Sequence, residues 1–180
     1  MLNEIKNKIG YWLLNRKASK IKRNVKFVNL YEAKEIALIV NIESIDDYKV
    51  VSDFIKWLRS NGKYVFVIAF VKNFEFKEFF KGEKSILFFS KKNITSYGKP
   101  KNIKYNNFIT KEFDILIDLT LNQFISFHYL VVMSKAKLKV GKYGERYNYY
   151  DFVIDLKEKK DLQFLINQIK HYLCEINKSH

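Results

Sequence analysis

Short apolar runs alternate along this chain with longer segments whose apolar residues recur at helical spacing. Six of the runs are predicted to be strands, and the first of them, which contains β-branched residues, is typical of a strand buried on both faces. These predicted strands lie at 35–42, 64–71, 85–89, 113–119, 137–141 and 150–156. Their spacing is typical of a sheet whose strands are separated by helical connections.

In most of the segments between the strands, apolar residues recur at the spacing of a helix. The predicted helices span 2–23, 45–60, 102–112, 122–136 and 159–177. Strands that alternate with helices predict a parallel sheet with right-handed crossovers. We therefore expect a three-layer Rossmann-like α/β fold with a mostly parallel six-stranded sheet in the order 3-2-1-4-5-6.

The first predicted helix differs from the others in its charge. Its apolar positions form one stripe, made of Leu2, Ile5, Ile9, Trp12 and Leu13. Beyond this stripe the sequence is nearly all basic, and residues 1–34 hold nine basic side chains and only two acidic ones. We predict an amphipathic basic helix with its lead-in at 1–34, followed by a single Rossmann-like domain at 35–180.

The net charge of +14 on 180 residues is large, and two further basic stretches occur at 91–104 and 135–146. Such charge attracts nucleic acid, anionic lipid or an acidic protein surface. The composition is rich in Lys, Asn, Ile, Phe and Tyr. An alternative is therefore that the lysines lie on solvent-exposed faces and bind no partner. The candidates for phosphate contact are Lys17, Lys20, Arg23, Lys92, Lys99, Lys101, Lys139, Lys142 and Arg146.

Aspartates close both ends of two similar strands, FDILIDL at 113–119 and YDFVIDL at 150–156. Asp118 and Asp155 lie at the carboxyl ends, where open α/β sheets bind their ligands, and Glu43 follows the first strand. A turn or helix-capping role is the alternative for both aspartates, because Asp side chains accept hydrogen bonds from nearby backbone N–H groups.

The signatures of several enzyme classes are missing. No glycine-rich loop follows the first strand, and no GxxxxGK[ST] sequence occurs. The three histidines and the single Cys174 have no metal-ligand spacing, so we predict no catalytic residue, cofactor or metal. Without an apolar run long enough for a signal peptide or a membrane span, we expect a soluble, cytoplasmic protein.

Several stretches carry a resemblance to known families, among them FFSKKNITSYGKPK, FITKEFDILIDLTL and MSKAKLKVGKYGERYNYYDFVIDL. Over residues 1–177 the chain resembles an uncharacterised family of small bacterial α/β proteins, a domain of unknown function. The segment 113–156 is also similar to the N-terminal, acceptor-binding half of heptosyltransferase-type glycosyltransferases. That fainter resemblance implies a Rossmann-like sheet in the order given above.

We expect a non-catalytic basic module that contacts nucleic acid, and structured RNA in particular, through its basic loops and N-terminal helix. Tyr97, Tyr143, Tyr147 and Tyr149 lie among the charges and could stack on bases. Two alternatives remain open at this point. The first is peripheral membrane association through residues 2–23, and the second is a reduced glycosyltransferase-like enzyme that uses Asp118 or Asp155.

Overall fold

The computed structural model describes residues 2–71, 78, 80–101, 104–122, 124–144, 147–157, 159 and 161–175. Five helices and six strands alternate along these residues much as the sequence predicts. The elements are α1 (Leu2–Ala18), β1 (Glu35–Ile42), α2 (Ile45–Ser60), β2 (Tyr64–Val71), β3 (Ile86–Phe89), α3 (Lys104–Thr110), β4 (Ile115–Asp118), α4 (Ile125–Met133), β5 (Leu138–Lys142), β6 (Phe152–Ile154) and α5 (Leu162–Glu175).

The six strands form one parallel sheet in the order β3-β2-β1-β4-β5-β6, so the predicted topology is confirmed. Successive strands are added to one side of β1 up to β3 and then to its other side from β4, so β1 and β4 are neighbours although β2 and β3 come between them in sequence. In register, Ile39 of β1 lies beside Ile68 of β2 on one side and Asp118 of β4 on the other. The carboxyl edge of the sheet at this reversal is where open α/β folds bind ligands.

Both faces of the sheet are covered, which explains why β1 is continuously apolar over residues 36–40. Leu38, Val40 and Ile42 point to the face covered by α2 and α5. Ala37 and Ile39 point to the opposite face, which packs against α3 and α4. The alternation of side chains along the strand therefore fills two separate apolar clusters.

Helix α4 has no polar face because it is buried between two layers. Its Leu130 and Val131 pack against the sheet, whereas Tyr129 and Val132 pack against α1. Helix α1 contributes Tyr11 and Leu14 to that outer contact. The N-terminal helix therefore docks on the domain as a fourth layer, over α4.

The stripe predicted as the apolar face of this first helix does not make the contact with α4. Ile5, Ile9 and Trp12 are 52%, 41% and 56% exposed. The face that packs against α4 is formed instead by Tyr11 and Leu14. On the same face Gly10, which has no side chain, lets the Tyr97 carbonyl approach the helix. The helix also ends at Ala18 rather than at residue 23.

Aspartates at the amino ends of β4 and β6 tie the sheet to the preceding lead-in. Asp114 accepts hydrogen bonds from the backbone N–H groups of Lys34 and Glu35 and from the Lys137 ammonium. Asp151 accepts from the Lys139 N–H, at 2.8 Å, and from the Arg23 guanidinium. These two acids hold strand starts in place and lie at the opposite end of the sheet from any carboxyl-edge site.

Candidate functional site

Two of the lysines predicted to contact phosphate line a single cleft. The cleft holds about 230 Å³ and lies between α1, the loop at 94–101, α3 and α4. Lys17 comes from the last turn of α1, and Lys99 comes from the loop. The remaining wall is formed by Pro100, Tyr105, Asn106, Ile109, Tyr129 and Met133. We call this the basic cleft.

The loop at 94–101 is fixed by close packing, and this positions Lys99. Gly98 has a φ of +81° and lies so close to Ile125 of α4 that a side chain there would clash. Ile94 and Pro100 form an antiparallel bridge that closes the loop. Lys99 donates its backbone N–H to Oγ1 of Thr95, at 3.0 Å. A rigid loop can therefore hold the Lys99 side chain over the cleft.

The Tyr105 ring forms part of the floor of the basic cleft. Its hydroxyl donates to the Phe88 carbonyl at 3.2 Å, and burial raises the pKa of Tyr105 to about 12. The side chain is 2% exposed. Tyr105 therefore offers an uncharged ring edge to a ligand and no free face on which a base could stack.

Three more of the predicted contacts are exposed lysines that lie close in sequence to α1 or to the loop at 94–101. Lys20 follows α1, Lys92 lies in the 3₁₀ turn after β3, and Lys101 follows Pro100. Within the described part of the chain, neither these three nor Lys17 and Lys99 have an acidic group within 4.0 Å. Their charges are therefore not neutralised by the protein residues that the structure describes.

Arg23 and Lys139 do not belong to such a surface, and their prediction as phosphate contacts is corrected here. Arg23 donates to the carbonyl oxygens of Ala136 and Lys137 and pairs with Asp151, so its donors are engaged. Lys139 lies inside β5 and not in a loop after it, and it is only 3% exposed. The period-two alternation of the strand directs its side chain into the protein, where Nζ donates to the Val132 carbonyl.

Burial is the main reason that the pKa of Lys139 falls to about 7, and the positive charge of Arg23 lowers it further. The negative charge of Asp151 opposes both effects. Of the other predicted residues, Lys142 ends β5 and is half-buried. Arg146 lies outside the described residues.

Asp118 occupies the position at the carboxyl edge that sequence reasoning singled out, but its carboxylate is enclosed. It is 1% exposed, and it accepts hydrogen bonds from the Tyr150 hydroxyl at 2.7 Å and from the Thr120 N–H at 2.8 Å. Burial raises the pKa of Asp118, while the bonds from Tyr150 and Thr120 and the charge of Lys142 oppose the rise. Asp155 is exposed and closes a turn by accepting from the Lys157 N–H.

A cluster of rings surrounds His128 next to this carboxylate. The Tyr11 hydroxyl and His128 Nδ1 share a hydrogen bond of 3.0 Å, and Tyr147 stacks on Tyr11 with ring centroids 3.7 Å apart. Burial, with a smaller contribution from the charge of Lys142, lowers the pKa of His128 to about 4. Tyr147 and Tyr149 are half-buried and each has a ring contact within this cluster, whereas Tyr97 and Tyr143 are 44% and 47% exposed.

No group of three or more histidine, cysteine, aspartate or glutamate side chains placed to hold a metal ion occurs among the described residues. Across the same residues, no helix is both long enough and apolar enough to cross a membrane.

One protein-family model matches residues 6–176, and its description is "Family of unknown function (DUF6913)". The chain belongs to this family. The predicted resemblance to a domain of unknown function is thereby confirmed over nearly the whole chain. No curated protein and no solved structure is significantly similar to it. The fainter likeness to heptosyltransferase-type enzymes stays a hypothesis.

Proposed function

We propose that this protein is a non-catalytic nucleic-acid-binding module that contacts single-stranded regions of structured RNA in the cytoplasm. The observation that carries the proposal is the basic cleft, where Lys17 and Lys99 line one cavity although they are far apart in sequence. Neither lysine has an acidic partner among the described residues, so both ammonium groups are available to phosphate oxygens.

Side chains around the cleft suit a ribose-phosphate chain. Lys20 and Lys101 extend the positive charge beyond the cleft on the two segments that form it. Tyr97 lies on the same loop as Lys99 and exposes 44% of its surface, which leaves a ring face on which a base can stack. Single-stranded nucleic acid is bound in this way, by a charged groove along the backbone and aromatic side chains under the bases.

The experiment is a binding titration of the full chain with labelled single-stranded RNA and with an RNA hairpin at low salt. Lys17→Gln/Lys99→Gln is compared with the matched control Lys49→Gln/Lys56→Gln. The control lysines are exposed on α2, which covers the other face of the sheet, and each is paired with an aspartate. We expect the first variant to weaken binding at least several-fold more than the control.

Equal losses in the two variants would contradict the proposal, because the interaction would then depend on overall charge and not on the basic cleft. Failure of the wild-type chain to bind either RNA at roughly 50 mM salt would also overturn it, since electrostatic binding is strongest there.

A second candidate function is attachment to an anionic membrane surface, and the outer face of α1 favours it. Ile5, Ile9 and Trp12 form an exposed apolar stripe, and Arg16 lies over the Trp12 ring at 4.9 Å. Lys6, Lys8 and Lys20 are exposed on the same segment. Tryptophan and lysine beside an apolar stripe are typical of helices that lie in the headgroup region.

Vesicle flotation tests this second candidate. Wild-type protein should float with vesicles that contain phosphatidylserine, and Ile9→Gln/Trp12→Gln should remain at the bottom of the gradient. Tyr64→Gln is the control, because Tyr64 is 76% exposed but lies on β2, away from α1. Flotation that is unchanged in Ile9→Gln/Trp12→Gln would exclude the stripe as the membrane contact.

A further inference from the structure

A second cavity lies at the carboxyl edge of the sheet. It holds about 250 Å³, and its apolar lining comes from Phe70, Phe89, Ile94 and Phe127. Two polar residues, Glu43 and Ser126, complete this part of the wall. We call it the edge cavity.

The location of the edge cavity is the one at which parallel α/β sheets bind ligands. Glu43 directly follows β1, Phe70 is the penultimate residue of β2, and Phe89 ends β3. These three positions lie beyond or at the carboxyl ends of adjacent strands. Phe124, which also lines the cavity and is 49% exposed, places a further aromatic ring at its rim.

The size and the walls of the edge cavity favour a flat aromatic ring as the occupant. Sites for drug-sized molecules run to about 300–1,000 Å³, so a cavity of 250 Å³ suits a single ring system. The aromatic side chains supply surfaces against which such a ring can pack face to face or edge to face. Among the described residues that line it, the only ionisable side chain is that of Glu43, so this part of the wall offers no counter-ion to a phosphate.

The polar groups define what the ring must carry. The Glu43 carboxylate is an acceptor, and it already accepts from the Asn41 amide at 2.8 Å. Ser126 is 6% exposed and lines the cavity, and among the described residues its hydroxyl has no hydrogen-bond partner. A ligand that donates to Glu43 and accepts from Ser126 would satisfy both groups.

A loop connects this cavity to the basic cleft. Ile94 lines the edge cavity, Pro100 lines the basic cleft, and the two residues form an antiparallel bridge. Lys92 and Lys99 lie on either side of Ile94 in sequence. The loop that brings Lys99 to the basic cleft therefore also forms part of the wall of the edge cavity.

We propose that the edge cavity binds one unpaired nucleobase that carries an exocyclic amino group; this rests on the proposed RNA-binding function and extends it to base recognition. The amino group donates to Glu43, the Ser126 hydroxyl donates to an acceptor on the ring, and the ring packs among the phenylalanines. Carboxylates accept from the cytosine amino group in this way. Uracil is disfavoured, because it has a carbonyl oxygen where cytosine has the amino group.

The test compares RNA oligomers in which a carbonyl oxygen replaces this amino group and the adjacent ring nitrogen gains a hydrogen, oligo(C) with oligo(U) and oligo(A) with oligo(I), at equal length and salt. We expect wild-type protein to prefer the amino-bearing member of at least one pair by roughly 5- to 150-fold. Glu43→Gln should abolish that preference, because its amide can also donate to a carbonyl oxygen. Glu32→Gln removes the same charge outside the cavity and should keep the preference.

A second measurement locates the ligand and separates the two proposals. Free cytidine or adenosine at millimolar concentration should shift the nuclear magnetic resonance signals of the Ile94 methyl groups, and Ser126→Ala should weaken that shift. If the oligomers bind without any base preference and neither nucleoside moves these signals, RNA binding stands and the nucleobase proposal is overturned. If indole shifts the signals while both nucleosides fail, the cavity serves another aromatic molecule and the proposal is again overturned.

Discussion

Tyr150 donates a hydrogen bond of 2.7 Å to Asp118 across the end of β5. The contact depends on Gly141, because a Cβ atom at that position would lie 2.5 Å from the Tyr150 ring. The glycine lets the ring cross the strand and reach a carboxylate that is 1% exposed. One oxygen of Asp118 is thereby bonded to Tyr150 and the other to the Thr120 N–H.

Tyr150→Phe should lower the free energy of unfolding by about 1–3 kcal/mol, because it leaves a buried carboxylate oxygen without its donor. Urea denaturation of both proteins measures the difference. Tyr149→Phe is the matched control, since its hydroxyl bonds to the exposed Asn15 and its loss should cost less. If both variants lost a similar free energy of unfolding, the buried Tyr150–Asp118 hydrogen bond would contribute no more to stability than an exposed one.

His128 should make stability fall in moderately acidic solution. Its pKa in the folded protein is about 4, below the ordinary value of 6.5, so the unfolded chain binds the proton first as the pH falls. The free energy of unfolding should therefore decline between pH 6.5 and pH 4, by about 3 kcal/mol from this residue. Well above pH 6.5, from about pH 7.5, the imidazole is neutral in both states and contributes no slope.

Thermal or urea unfolding at several pH values checks this, with His128→Gln as the variant that cannot titrate. The difference in stability between wild type and variant should shrink steadily as the pH falls through the window. His171→Gln serves as the control, because that imidazole is exposed beside Glu175. A pH profile of His128→Gln that parallels the wild type would contradict the assignment.

Lys139 should make the free energy of unfolding depend on pH in alkaline solution. Burial lowers its pKa from 10.5 to about 7, so between pH 7 and pH 10.5 the unfolded state binds more protons than the folded state. Its contribution to stability should rise with pH over that window. Compared with Lys139→Met, which fills similar volume without a charge, wild-type protein should gain stability as the pH is raised from 7 to 10. A constant difference across this window would mean that Lys139 keeps an ordinary pKa.

The sheet could be predicted from sequence because its signals are local. Residues such as Ile39, Val67 and Leu116 lie in short apolar runs, and all three are fully buried. The role of Lys139 could not be predicted in this way. It lies in a short run flanked by lysines, and only the pairing of β5 with β4 and β6 shows that its side chain points inward.

The candidate site shows the same limit. Its exposed lysines stand out in the sequence, but the meeting of Lys17 with Lys99 depends on the packing of α1 over α4 and on Gly98. The edge cavity joins Glu43 to Ser126, which are separated by α2, β2, β3, α3 and β4 along the chain. The periodicity of apolar residues predicts the helices and strands. Contacts between residues far apart in sequence depend on how those helices and strands are arranged in space.

The salt dependence of RNA binding gives the sharpest test of the basic cleft. Each phosphate neutralised on a single strand contributes about −0.7 to the slope of log affinity against log salt. With on the order of five contacts, affinity should fall by about a hundredfold between roughly 50 and 200 mM salt. Lys17→Gln/Lys99→Gln should flatten the slope by about 1.4, since two contacts are lost.

Lys139→Met provides the internal comparison for that measurement. It also removes a lysine from one of the basic stretches of the sequence, but its ammonium is buried and donates to the Val132 carbonyl. At pH 6, below the Lys139 pKa of about 7, its salt slope should therefore equal that of the wild type, although both variants lower the net charge. If Lys139→Met flattened the slope as much as the pair in the basic cleft, then overall charge and not position would govern binding, and the cleft would lose its assigned role.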